Sequence, residues 1–463
     1  MRLERSLRLP HATALVVGTI LGSAVFVQAS EVTEHVPRIW AVLLVWGVSG
    51  ILSLFGALAC AELASAFPRT GGVYVFLKET YAPVVGFLWG WAMFWVMHSG
   101  IIAAMATVFA RYTGYFVPLG TVGSRAVAVA AILGLSALNY AGVKRGSTVQ
   151  SLITGAKVVA VAIIVAVGFF FGSSLPAHFQ ESAALASHGV HTQGFLLAVI
   201  AGLFAFGGWH VVTYTAEETV EPESTIPKAL ALGIVIVTLC YVALNAVYFY
   251  VLPVDRVMAS TRVAADAATA LLGARGGAAI SGLVMFSVFG AMTGSILAAP
   301  RVYFAMARDG LLFRWVGEVH PRFHTPHRAI LLQAIWASVL AGTGTYRQLF
   351  TRVIFTEWIF FALMAAGIFT LRKRPDYRPA YRVWGYPWVP VVFVLASITI
   401  VVNRLIAEPL DSVAGLGLVA LGVPAYYIWV RRGRQARMRP PTATSAMPPA
   451  IEASPTIGES GIS

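Results

Sequence analysis

The chemistry legible in this sequence is mostly backbone chemistry. Val17-Gly18-Thr19-Ile20-Leu21-Gly22-Ser23-Ala24 and Leu203-Phe204-Ala205-Phe206-Gly207-Gly208-Trp209 each break an apolar stretch with glycines. A helix unwound there bares N–H and C=O groups, which lipid tolerates only where they are buried in protein or line a cavity. A helix restarting after Gly22 would aim the free N–H groups of Gly22, Ser23 and Ala24 at an anion, with the positive end of its dipole behind them. Ser23 adds a hydroxyl. Carbonyls freed around Phe204, Ala205 and Gly207 offer the opposite polarity and could accept from an ammonium. Donors facing acceptors fit the α-carboxylate and α-amino groups of an amino acid. Glycine also serves close helix packing. Two clusters, one in each half of the chain, favour the binding reading.

Among side chains, Lys157 stands inside the apolar run Ile153 to Phe170. An intramembrane lysine is expensive and functional by default, unless it snorkels to an interface. One that sheds its proton once per cycle would couple transport to a proton gradient; a permanently charged one would be a strut. His210 is either a packing histidine or a titrating group. Glu62 and Glu357 are expected near the cytoplasmic and external boundaries, respectively, as structural hydrogen-bonding groups. His98 and Ser99 lie in a third span whose rotation the sequence does not fix. Phe204, Phe206, Met97, Met292 and Trp358 are expected around the pocket, with no acid among them, so the expected substrate is a neutral, apolar amino acid. No nucleophile, base and oxyanion set suggests an enzyme. No metal is expected: the loop from His320 to His327 brings three histidines and two prolines without a carboxylate or cysteine at ligand spacing. No cofactor is expected either, a proton being the coupling ion.

The elements that must carry these groups are apolar helices. Of 463 residues 58% are hydrophobic and only 11% charged, far below the roughly one quarter charged in soluble domains. About twelve runs reach the ~20 residues a bilayer needs: 11–29, 39–66, 83–110, 125–143, 150–172, 193–215, 228–251, 277–305, 328–344, 350–371, 387–406 and 411–431. The net charge of +13 is a topology signal rather than a nucleic-acid footprint. Arg and Lys gather in alternate loops, as at Arg372-Lys373-Arg374 and Arg431-Arg432, which puts both termini in the cytoplasm. Anionic lipid headgroups are a secondary partner. Cys60 and Cys240 fall within apolar runs and suit no disulfide framework.

The breaks lie about five spans apart, which suggests a five-plus-five inverted repeat. The expected organisation is a cytoplasmic N-terminus (1–10), a first repeat (11–172), a second repeat (193–371), two further helices (387–431) and a disordered tail (438–463).

Several motifs in order then resemble the amino acid–polyamine–organocation superfamily, in its L-type amino acid transporter and bacterial permease branches. Gly18 to Phe26 resembles that family's first-helix motif. Ala61-Glu62-Leu63 with Phe67-Pro68-Arg69-Thr70-Gly71-Gly72-Val73-Tyr74 is similar to its second. Phe204 to Trp209 with Glu217-Glu218 and Pro227 is similar to its sixth. Gly290 to Leu297, Pro300 to Gly310, and Arg378-Pro379 with Gly385-Tyr386-Pro387 resemble its eighth helix, the following loop and the lead into helix eleven.

The resemblance implies an all-α, leucine-transporter-like membrane fold with discontinuous helices 1 and 6. It implies a plasma-membrane secondary transporter working by alternating access, as symporter or antiporter. Ser23 and Ala24 would hold the carboxylate; Ile20, Phe204 and Gly207 would offer carbonyls to the amine; Phe204 would gate the substrate. In proton-coupled members a fifth-helix lysine, here Lys157, resembles a built-in replacement for sodium. Ala24 replaces the family's second glycine, and His210 replaces an asparagine common in L-type members, which bears on side-chain selectivity. Residues 111–124 lack the cysteine that would join a glycoprotein heavy chain, so no disulfide-linked partner is expected. The alternatives are an exchanger for charged amino acids or amines, and an amino acid sensor that moves nothing.

Overall fold

The computed structural model describes residues 7–22, 26–140, 146–172, 190–323, 325–343 and 346–438. The expected tail past Met438 lies outside the described residues. In chain order the helices are α1 (Leu9–Ile20), α2 (Gln28–His35), α3 (Ile39–Ala66), α4 (Val73–Thr80), α5 (Pro83–Thr113), α6 (Thr121–Tyr140), α7 (Gly146–Phe171) and α8 (Thr192–Ala205). A 3-10 segment, Trp209–Glu218, continues the line of α8. Then come α9 (Pro222–Val251), α10 (Val263–Ala298), α11 (Pro300–Arg308), α12 (His327–Thr343), α13 (Tyr346–Leu371), α14 (Trp388–Ala407), α15 (Pro409–Ala420) and α16 (Gly422–Met438). The extended pairing among the described residues is one bridge, Leu7 to Thr219.

Nine helical stretches among the described residues are long and apolar enough to cross a membrane. The other expected runs fall on α1, α12 and α13. Large apolar side chains face outward, Phe170 at 85% and Leu410 at 87% exposure among them. A soluble protein would not present such a surface; a lipid-facing one must.

Lipid gives helices no hydrophobic reason to associate, so their packing depends on small residues and shape. Gly233 of α9 lies against α1, where an added Cβ would stand 2.4 Å from Val16 Cγ1. Gly50 of α3 meets Thr238 of α9, and Gly202 of α8 meets Ser49 of α3, in the same way. The two halves of the chain are thereby locked across α1, α3, α8 and α9.

Polar ties close one face. The buried Glu62 carboxylate accepts from Arg372 Nε (2.9 Å) and Nη2 (2.6 Å), from Tyr377 Oη (3.3 Å) and from the Val383 N–H (2.6 Å). This is the structural role expected for Glu62. Burial first, and then the adjoining carboxylate, raise the Tyr377 hydroxyl above its ordinary pKa, so it stays a donor. Nearby, Asp309 accepts from Tyr74 Oη (2.5 Å) and Lys78 Nζ (2.7 Å), and Glu218 pairs with Arg301 at 3.0 Å.

Candidate functional site

Both expected breaks are present. α1 ends at Ile20, where the Leu21 N–H still reaches Val17 O and the Gly22 N–H turns back to Ile20 O at 2.6 Å. Among the described residues the next α-helix begins at Gln28. Ser23 and Ala24 lie outside the described residues, which leaves Gly22 as the described member of the carboxylate set. In the second break α8 stops at Ala205, the Gly207 N–H bonds to Phe204 O at 2.9 Å, and Gly208 takes φ +100°. Only glycine adopts that conformation without strain.

The two breaks meet. The Thr19 hydroxyl lies 3.3 Å from Gly208 O. Tyr241 of α9, which the sequence reading missed, stands between them: its hydroxyl lies 2.8 Å from Ile20 O and 2.7 Å from Ala205 O. One phenolic proton thus serves freed carbonyls of both breaks. Its sequence signal was only a tyrosine in a run of aliphatics.

Between the breaks is a cavity of about 600 Å³, its open mouth included, onto which Ile20, Gly22, Phe204, Ala205, Gly207 and His210 all face. Four of the expected pocket neighbours do not line it: Phe206, Met97, Met292 and Trp358. Phe206 instead packs edge-on against Tyr241, at 5.0 Å between ring centres.

Other groups take those places. His98 comes directly after a π turn, Met93–Met97, in α5. Such a turn rotates the helix beyond it and is frequent at functional sites. His98 lines the cavity, while Ser99 turns back to Phe94 O at 2.7 Å. Glu357 of α13 also lines it, 4% exposed. That overturns two expectations: Glu357 is not a boundary residue, and the pocket is not free of acids. Its place in a run of apolar residues gave no hint of which way α13 is rotated.

His210 is fully buried, ringed by Trp89, Trp209, Phe361, Tyr214 and His98 at 5.1 to 6.2 Å between ring centres. Among the described residues, neither it nor His98 has a hydrogen-bond partner on either ring nitrogen, and Glu357 Oε1 has none. Buried polar atoms are paired in folded proteins with few exceptions, and each exception asks for a reason.

Lys157 stands behind α1, 3% exposed. Its Nζ donates to Gly18 O and Leu21 O at 3.3 Å each. A Cβ on Gly290 of α10 would lie 3.7 Å from that nitrogen. It lines a separate, smaller hollow with Leu21, Phe26 and Ser287. Lys157 thus joins the first break to α10 without entering the main cavity.

Apolar spans, two interrupted helices and a cavity between the interruptions define a multi-pass α-helical membrane protein. The sequence comparisons narrow the class. The chain belongs to the amino acid permease family, whose profile matches residues 7–416. It is 32% identical to the serine/threonine exchanger SteT of Bacillus subtilis (strain 168), over 92% of this chain and 97% of that protein. It is 27% identical to the cystine/glutamate transporter of Homo sapiens, over 98% and 92%, and 29% identical to the Asc-type amino acid transporter 1 of Mus musculus, over 92% and 82%. The family is one of amino acid transporters rather than enzymes.

Proposed function

We propose that this protein is a secondary active transporter that carries amino acids across the plasma membrane by alternating access, with proton movement coupled through Lys157. The reading rests chiefly on one observation: residues at the ends of two broken helices, Ile20 and Gly22 of the first and Phe204, Ala205 and Gly207 of the second, line a single cavity. Acceptors preset in a water-poor site suit an α-ammonium, and the backbone around Gly22, continuing through Ser23 and Ala24, supplies donors for the carboxylate. Phe204 serves as the gate over the bound substrate. The proposal includes a five-plus-five inverted repeat with both termini in the cytoplasm and no disulfide-linked heavy chain.

Lys157 supports the coupling part. Its ammonium sits on Gly18 O and Leu21 O, carbonyls that only a broken helix frees. Loss of its proton would weaken its hold on the break, and regaining it would restore that hold, so proton movement and the shape of the first break would be linked. A second reading is obligatory exchange, favoured by the name of one relative, a serine/threonine exchanger.

Purified protein in liposomes, given labelled amino acids with and without an inward proton gradient, tests the proposal. Gradient-driven accumulation is expected in the native protein. Lys157→Met should abolish accumulation while counterflow of preloaded amino acid persists. Accumulation that survives in the variant removes Lys157 from coupling, and native transport that ignores the gradient leaves exchange as the function.

A further inference from the structure

Three buried polar side chains converge on the cavity with polar atoms unpartnered among the described residues: Glu357, His98 and His210. Glu357 is 4%, His98 2% and His210 0% exposed. One carboxylate oxygen of Glu357 and all four imidazole nitrogens have no hydrogen-bond partner there. They come from three separate elements, α13, α5 and the segment after the second break, and they share one cavity wall. The described residues lining that cavity include no lysine or arginine. The buried cation Lys157 is engaged behind α1 in its own hollow, so it is not the counter-ion of Glu357.

A carboxylate buried without a counter-ion is costly, and the cost is recovered when a cation with hydrogen-bond donors arrives. An ammonium has three donors. One could go to Glu357, and ring nitrogens of His98 and His210 in the neutral form are acceptors for others. An apolar side chain would leave all three groups unpaired, which is the strongest form of discrimination a buried site can exert.

We propose that Glu357, with His98 and His210, forms the side-chain end of the substrate cavity and selects amino acids whose side chain ends in an ammonium, such as lysine or ornithine. This rests on the transporter reading above and replaces the apolar substrate expected from the sequence.

The test uses the full-length protein in liposomes, with counterflow of labelled L-lysine, L-ornithine, L-serine and L-leucine. The native protein is expected to prefer lysine and ornithine. In Glu357→Gln the lysine-to-serine preference should fall about 10- to 100-fold, the range for losing a hydrogen bond to a charged group, and Glu357→Asp should recover part of it. Thermal unfolding of each variant in detergent separates loss of preference from loss of fold. Serine or leucine counterflow without any for lysine overturns the inference and leaves the transporter reading standing. So does a Gln variant with native lysine preference, or one that loses only its response to the proton gradient, which would make Glu357 a proton site. A native protein that moves and binds no amino acid overturns both readings.

Discussion

Tyr241 shows how one hydroxyl can hold a site together. Its ring is fixed by edge-on packing with Trp46 and Phe206, at 5.2 and 5.0 Å between ring centres. Phenylalanine would keep that packing and remove only the hydroxyl that serves Ile20 O and Ala205 O. Buried carbonyls that lose a donor cost about 1–3 kcal/mol. Tyr241→Phe should therefore lower thermal stability by that amount and weaken amino acid counterflow more than the stability loss explains, because the two breaks lose their common anchor. Native half-saturation in the variant would show that the breaks hold their own geometry. The same residue marks a limit of sequence reading. Gly18, Gly22, Gly207 and Gly208 announced where backbone would be bare, since two such clusters, one in each half of the chain, favour that reading over the packing role of a lone glycine. Nothing in the sequence announced which side chain would reach that backbone, because its donor lies 36 residues from Ala205 and 221 from Ile20.

At the scale of elements, helix existence was legible and helix rotation was not. Apolar length located the nine long apolar helices found among the described residues, for hydropathy depends on composition alone. The face a buried helix turns toward the cavity depends on its neighbours, and a run apolar all round carries no amphipathic signal to reveal it. That is why Glu357 was expected at a boundary and Phe206, Met97 and Met292 in the pocket. The π turn before His98 was hidden for the same reason. Packing of α1 on α9 can be tested directly. A methyl at Gly233 must displace Val16, whose branched side chain is stiff, while a methyl at Gly282 of α10 meets nothing within 4 Å. Gly233→Ala should destabilise by about 1–3 kcal/mol and impair transport by shifting the first break. Gly282→Ala should stay within about 0.5 kcal/mol of native. Equal melting temperatures in the two variants would mean that α1 moves aside at no cost.

For the whole molecule, the polar ties gather on the face where Leu7 lies. Leu7 donates to Glu218 O at 3.0 Å and accepts from the Val220 N–H at 2.8 Å. The Thr70 N–H reaches Glu217 Oε1 at 3.1 Å, and Arg301 grips the Glu218 carboxylate at 3.0 and 3.3 Å. These contacts bind the segment before α1 and the loop after α3 to the segment after the second break and to α11. In the proposed alternating access such ties must break and reform, so they would weight the balance between closed and open states of this face. Glu218 and Arg301 are about one fifth exposed, which screens their attraction and leaves it worth about 1 kcal/mol. Losing that much shifts a two-state balance about fivefold. In a background lacking Cys60 and Cys240, a cysteine introduced by Ser295→Cys reports on the cavity, since Ser295 lines it. Adding Glu218→Gln should raise its labelling by a membrane-impermeant thiol reagent, applied from the Leu7 face, by about that factor. Substrate should alter the labelling rate in both proteins, because it binds where the reagent must pass. Labelling that stays the same or slows in the Gln variant would mean that this pair does not latch the face, and that closure rests on helix packing alone.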